Sequence, residues 1–502
     1  MFSFFYFYPT MKSLLFISFL LLLNLKGIPQ EFDFNKNCQS AYREIIELDF
    51  KEADNILKSE NQVNPNNLMP LYLENYMDFL RIIIGENREE FQNLENNKGA
   101  RLKEISDGPE NSPYYLFCEA NINLQWAFAR IKFEEYFTAF FEINRAYRKL
   151  EKNQEKFPDF YPNKIGLGLL HTIIGTVPDN YKWITNLIGM EGNVNEGISE
   201  LLTFIDSAKH DGSYQDFIPE ALFLLSFIQM NIGLEKDYLS MIEQSMNTFD
   251  IKSPLMVFVK ASYYIKSGQN EQALKVLSNY EPGPNSYPFY YLNYLRGLTL
   301  LRKLDTSARN DFRLYIQNFK GRSYLASARQ KIAWSYLIYG DTLAYKKTIA
   351  SVTKAPESIA DADHQALNEA RQKEIPDVSL LRSRLLFDGG YYQESLITLD
   401  SINLSGKNNS IITEYNYRHG RIYQQMHNFE KALECFKGSI LSGKSSKTYF
   451  AANAALQSGI ISEEQGDLES AKRYYTLCLD MDFDEYERSI KHKAKARLER
   501  IK

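Results

Sequence analysis

At 502 residues the chain exceeds what one compact hydrophobic core organises, so it must divide into lobes or extend as an array of repeated units. Hydrophobic residues at 44% and charged residues at 24% are the composition of a folded protein, and 14% aromatics supply large side chains for packing. A net charge of −5 with no Lys/Arg block excludes the basic footprint that nucleic acid or an anionic membrane surface requires.

The first segment reads as an address. In "MKSLLFISFLLLLNLKG" (11–27), Lys12 precedes an uncharged apolar run from Leu14 to Leu23 and a polar exit, the layout of a secretory signal. The run is shorter than the roughly 20 residues of a membrane span. Translation is expected to begin at Met11, with "MFSFFYFYPT" a start-site extension and cleavage between Gly27 and Gln30, so that residues 1–30 form the leader. The expected product is exported, periplasmic or envelope-associated in a Gram-negative bacterium, with no membrane span after leader removal. Cys38, Cys118, Cys435 and Cys478 contain no C-x-x-C pair, so neither zinc nor redox chemistry is indicated. Cys435 and Cys478 fall where a small buried apolar residue is expected.

Residues 31–210 read as an irregular region of helical hairpins. "CQSAYREIIELDFKEADNILKSE" (38–60) is a helical pair with Ala41 and Ala53 twelve apart, and 66–106 adds a less regular pair. Over 112–156 the helices lengthen, and Cys118, Trp126, Phe133, Phe137 and Phe141 are spaced for a buried face. The stretch 163–208 carries Gly166, Gly168, Gly175, Gly189, Gly192 and Gly197, a density that marks close helix contacts and turns.

Residues 211–483 repeat one pattern. "VFVKASYYIKSGQNEQALKVL" places Ala261, Tyr264, Gly268 and Ala273 in one register, and "YLRGLTLLRKLDTSARNDFRLY" has Gly297 and Ala308, one residue short. "ARQKIAWSYLIYGDTLAYKKTI" supplies another pair around Trp334, Gly340 and Tyr345. "DADHQALNEARQKEIPD" (361–377) is a charged helix ending before Pro376. "LLRSRLLFDGGYYQESLITL" substitutes Ser383 and Ser395 for the small pair, around Gly390 and Tyr392. In "YNYRHGRIYQQMHNFEKALECF" (415–436) the pair is Gly420 and Ala432, and in "ANAALQSGIISEEQGDLESAKRYYTLCLDM" it is Gly459 and Ala471. Two helices joined by so short a turn lie antiparallel, and their backbones meet closely only where both contact residues are small; the aromatics fill the space around that contact. Residues 484–502, with "KHKAKARLERIK", read as a capping helix whose charges face solvent. With no strand pattern along the chain, the expected fold is all-α, an α-solenoid of helical hairpins.

This pattern resembles the tetratricopeptide repeat, a helix–turn–helix unit of about 34 residues with small residues at its eighth and twentieth positions. The glycine-rich stretch is similar, in part, to the eukaryotic outer-mitochondrial tetratricopeptide family linked to inclusion-body clearance, through Gly166, Gly168, Pro178, Ile188, Gly189, Gly192, Gly197, Leu201 and Leu202. Asn193 stands where that family carries an acidic residue, and the secretory leader contradicts a mitochondrial address. Both resemblances imply a non-enzymatic scaffold or adaptor.

No G-x-x-x-x-G-K-[ST], G-x-S-x-G or H-E-x-x-H occurs, and Gly166-x-Gly168 follows no strand, so it reads as helix packing. His419 and His427 lie eight apart, with His427 in a turn, and His171 and His210 lack carboxylate pairs at ligand spacing in the sequence. No catalytic, cofactor or metal residue is therefore expected. The expected activity is capture of a protein or peptide in a concave groove lined by first helices. The alternative is a structural subunit or chaperone-like component of an envelope assembly. With Gly420 at the eighth position, Tyr417, Arg421 and Gln424 fall at the fifth, ninth and twelfth, which face the groove in the tetratricopeptide architecture. Arg384 takes the ninth place of the preceding repeat. Two guanidiniums on one wall would select an acidic segment or a C-terminal carboxylate; the competing arrangement pairs them with Glu414 or Asp388.

Overall fold

The computed structural model describes residues 29–177, 189–232, 238–248, 253–372, 374–444 and 446–501. Residues 1–28 of the expected leader, Pro178 and Ile188 lie outside these described residues. Among the described residues there are 24 α-helices and no strand, only a parallel bridge between Glu31 and Asn67. The fold is an all-α solenoid of helical hairpins. Its described residues divide into two compact units, one within 29–255 together with 282–287, the other within 256–281 together with 288–501.

The first unit holds α1 (Lys36–Ile46), α2 (Phe50–Val63), α3 (Met69–Gly85), α4 (Arg88–Ser106), α5 (Pro113–Lys132), α6 (Tyr136–Lys156), α7 (Asn163–Gly175), α8 (Val194–Asp211), α9 (Ile218–Ile232) and α10 (Leu239–Thr248). The second begins with α11 (Pro254–Lys266) and α12 (Asn270–Ser278), then α13 (Tyr291–Arg302), α14 (Ala308–Asn318), α15 (Leu325–Leu337), α16 (Thr342–Ala350) and α17 (Asp361–Gln372). It continues through α18 (Val378–Asp388), α19 (Tyr392–Asp400), α20 (Asn409–Gln425), α21 (Phe429–Ser442), α22 (Phe450–Glu464), α23 (Leu468–Asp480) and α24 (Glu487–Arg500).

A two-part device joins the helices of several hairpins. One residue in the left-handed region turns the chain, and the next is an Asx whose side chain caps the second helix. Gly466 (φ 81°) precedes Asp467, which accepts from the Ser470 amide at 3.0 Å; His427 (φ 56°) precedes Asn428, which accepts from the Lys431 amide at 3.3 Å. Leu48–Asp49 and Gly340–Asp341 repeat the arrangement. Each such cap contributes about 1 kcal/mol by satisfying a helix-end amide.

Packing inside the hairpins follows a volume rule. A Cβ at Gly420 would lie 2.4 Å from the buried Phe436 ring, and one at Gly459 would lie 2.4 Å from the Tyr475 ring. In both hairpins the aromatic stands sixteen residues after the glycine. Where the small residue keeps a Cβ, the residue sixteen on is a buried aliphatic instead: Leu57 after Ala41, Leu277 after Ala261, Ile349 after Ala333 and Leu399 after Ser383. The hairpin that is one residue short keeps the rule at fifteen, with Gly297 against Phe312. Ser383 and Ser395 satisfy each other by a hydroxyl hydrogen bond of 2.8 Å, so polarity at the close approach goes unpenalised. Cys478 is buried in its second helix, while Cys435 is only half-buried.

In the first unit the glycine-rich stretch packs α7 on α8. A Cβ at Gly168 would lie 2.7 Å from the Gly197 carbonyl, and one at Gly192 would lie 2.6 Å from the His171 Cα. One expectation fails nearby. Phe133 is buried, but Phe137 and Phe141 are 79% and 51% exposed. The reason is a phase break: Glu134, at φ 69°, turns the chain between α5 and α6. The inward stripe of α6 is Ala139, Glu142, Ala146, Leu150 and Asn153, and the two phenylalanines fall off it.

Carboxylates that are distant in sequence surround His171. Its Nδ1 lies 2.7 Å from Glu200, with Glu196 at 4.0 Å, and its Nε2 is 3.8 Å from Glu151. Burial alone would push the imidazole pKa down, but the hydrogen bond and charge of Glu200, helped by Glu196 and Glu151, hold it above the ordinary value. A histidine pKa raised by folding stabilises the folded state below its unfolded pKa, and that stabilisation is lost as pH rises through the folded pKa. Hydrogen-exchange protection of α7 should therefore fall as pH rises above the ordinary histidine range. His171→Gln should flatten that dependence; an unchanged slope would show that other groups set it.

Candidate partner-binding groove

The second unit contains a cavity of about 1090 Å³. Its wall is built from successive helices of the array: Gln330 and Trp334 on α15, the polar face of α17, Leu380, Leu381 and Arg384 on α18, the first turns of α20, and Thr448, Tyr449 and Phe450 opening α22. The chain that leads into α24, residues 484–489, forms the remaining side.

Trp334 anchors one end. Its indole N–H donates to Glu369 at 2.8 Å, and Glu369 also accepts from Gln330 at 2.6 Å. The Arg384 guanidinium lies 5.2 Å from the Trp334 ring centre and the Lys331 ammonium 4.0 Å from it. Burial, then the positive charge of Arg384, pushes the Lys331 pKa down to about 7. At the other end Tyr449 packs edge-on against Tyr486 at 5.0 Å and at a tilt of 38° against Phe450 at 4.4 Å. Arg418 donates from Nε to Glu414 at 2.7 Å.

Of the four residues singled out from the sequence, the cavity wall takes Arg384. Tyr417 is 5% exposed, and its hydroxyl accepts from Asn453 at 2.8 Å and from Arg421 at 3.2 Å. Arg421 lies over the Phe387 ring at 5.4 Å and does not line the cavity that Arg384 lines. Arg421 Nε and Gln424 Oε1 are buried without a hydrogen-bond partner. The competing ion pairs form only in part: Arg384 reaches Asp388 at 3.9 Å, whereas Glu414 goes to Arg418. Sequence reasoning missed the carboxylates of 361–377 and 484–487 as wall residues. The signal was their density, in "DADHQALNEARQKEIPD" and "DFDEYE".

The repeat register can now be placed. Residues 413–441 and 452–485 match the tetratricopeptide repeat family. These two stretches are tetratricopeptide repeats. Gly420 and Gly459 stand eighth in them, and Ala432 and Ala471 twentieth. No curated protein matches the chain. Tetratricopeptide repeats generally mediate protein–protein interaction, on a scaffold that is typically not an enzyme. Among the described residues no group of three His, Cys, Asp or Glu side chains could hold a metal ion, and no helix is long and apolar enough to cross a membrane.

Proposed function

We propose that the protein is a non-enzymatic scaffold of the cell envelope that holds an extended segment of a partner protein in the groove of its second unit. The observation that carries this reading is the cavity itself: successive elements of the array present apolar side chains (Ile375, Ile411, Tyr449) beside polar ones over a continuous wall. The leader read from residues 11–27 supports export to the periplasm. A second reading, a structural subunit of an envelope assembly, draws on the exposed aromatics Tyr136, Phe137 and Phe141 at the start of α6.

The test is selection of dodecapeptides from a random display library on the full chain, followed by anisotropy titration of the selected peptides. Ser410→Trp, at the exposed rim of the cavity, should weaken their binding at least tenfold while leaving the melting temperature unchanged. Peptides that bind this variant as tightly as the parent would place recognition elsewhere.

A further inference from the structure

The groove wall carries eight carboxylates against three guanidiniums. Many of these acids are already committed. Glu414 is paired with Arg418, Asp377 with Lys407 at 3.0 Å and Glu487 with Lys491 at 2.9 Å, while Glu369 accepts from Trp334 and Gln330. Among the described residues, Asp361, Glu374, Asp484 and Glu485 line the cavity with no ion pair. Among the described lining residues, the guanidiniums left to balance them are those of Arg488 and Arg384, and Arg384 already shares Asp388. Three aromatic side chains, Tyr449, Phe450 and Tyr486, stand on the same wall as Asp484 and Glu485.

We infer that the groove selects a basic segment of its partner, one that carries Lys or Arg side chains between apolar residues. The inference rests on the peptide-groove reading above and reverses the acidic preference expected when two arginines were placed on one wall. Unpaired carboxylates that share one cleft attract a cation more strongly than the same groups scattered over an open surface, because their fields add and the cleft excludes part of the screening solvent. Aromatic faces beside them offer a second favourable contact to an ammonium or guanidinium. Glu485 lies among these charges. Partial burial raises its pKa first, Arg384 opposes that, and the charges of Glu414 and Asp484 add to the rise, so a further cation placed here would be favoured by both neighbours. Ile375 and Ile411 take the intervening side chains of the segment.

The experiment compares the charge of peptides enriched by the display selection and then titrates two synthetic dodecapeptides, one alternating Lys with Leu and one alternating Glu with Leu. Enrichment of Lys and Arg is expected, with the lysine peptide bound at least tenfold more tightly than the glutamate peptide. The double substitution Asp484→Asn, Glu485→Gln should weaken the lysine peptide at least tenfold. Neutralising the exposed Glu430 and Glu469, which lie outside the cavity wall, should leave it unchanged. A melting temperature equal to the parent's confirms that the groove variant is folded. Equal loss from both double variants would mean attraction to overall charge and would overturn the inference. Enrichment of acidic peptides whose binding is lost in Arg384→Glu would overturn the cation preference and leave the groove reading standing. No enrichment at all would overturn both.

Discussion

Glu142→Gln should destabilise the first unit by about 3–5 kcal/mol, the largest single-residue effect expected in the molecule. Glu142 is buried on α6, and one of its oxygens receives both the Lys98 ammonium of α4 and, at 3.0 Å, the Arg130 Nε of α5. Arg130 has other partners, Glu95 at 2.7 Å and Glu135 at 2.5 Å, each partly exposed. Lys98 is itself buried; burial pushes its pKa down, and Glu142 is what opposes that. Removing the carboxylate charge leaves Lys98 as an uncompensated ion among three helices, at the cost of its desolvation. Lys98→Met should cost far less, because it removes the ion that needs the partner while Arg130 still neutralises Glu142. Urea unfolding of the two variants measures the contrast. Equal losses would mean that packing, and not charge, sets the stability of this contact.

The hairpins were legible because their constraint is local. Two helices joined by a short turn must meet at residues a fixed distance apart, so the small pairs Gly420/Ala432 and Gly459/Ala471 announce the contact, and the same periodicity carries it to Ala41 and Ala261. The reading failed where phase was carried through a turn. Phe137 and Phe141 continue the spacing of Phe133, but the left-handed Glu134 rotates α6 so that Ala139 and Glu142 face inward instead. Of the cavity wall, repeat position marked one lining residue among the four singled out, and it did not mark the charge. Arg384 could be placed on its wall from repeat position alone, whereas Asp361, Glu374 and Glu485 reach the same cavity from segments over a hundred residues apart. The carboxylates around His171 escaped for the same reason, since Glu151 and Glu200 come from different helices. Side chains brought together by stacking of hairpins leave no spacing in the sequence to read.

The rule that pairs glycine with an aromatic, and alanine or serine with an aliphatic, has a consequence for mutants of the second unit. Gly420→Ala should cost about 1–3 kcal/mol, because its Cβ would stand 2.4 Å from the Phe436 ring and both helices are held by their neighbours. Phe436→Leu alone should cost a similar amount, since the smaller side chain leaves a cavity beside a glycine that cannot fill it. Together they recreate the combination found at Ala261 with Leu277 and at Ala41 with Leu57. The double variant should therefore lose less than the sum of the single losses, by at least about 1 kcal/mol of coupling. The same cycle at Gly297 and Phe312, where the ring stands farther off at 3.0 Å, should show a smaller penalty for the alanine and weaker coupling. Denaturant midpoints for the four proteins of each cycle provide the measurement. Strict additivity at Gly420 and Phe436 would show that the two residues are matched by chance, and that helix spacing in this hairpin adjusts freely to the volume at its contact.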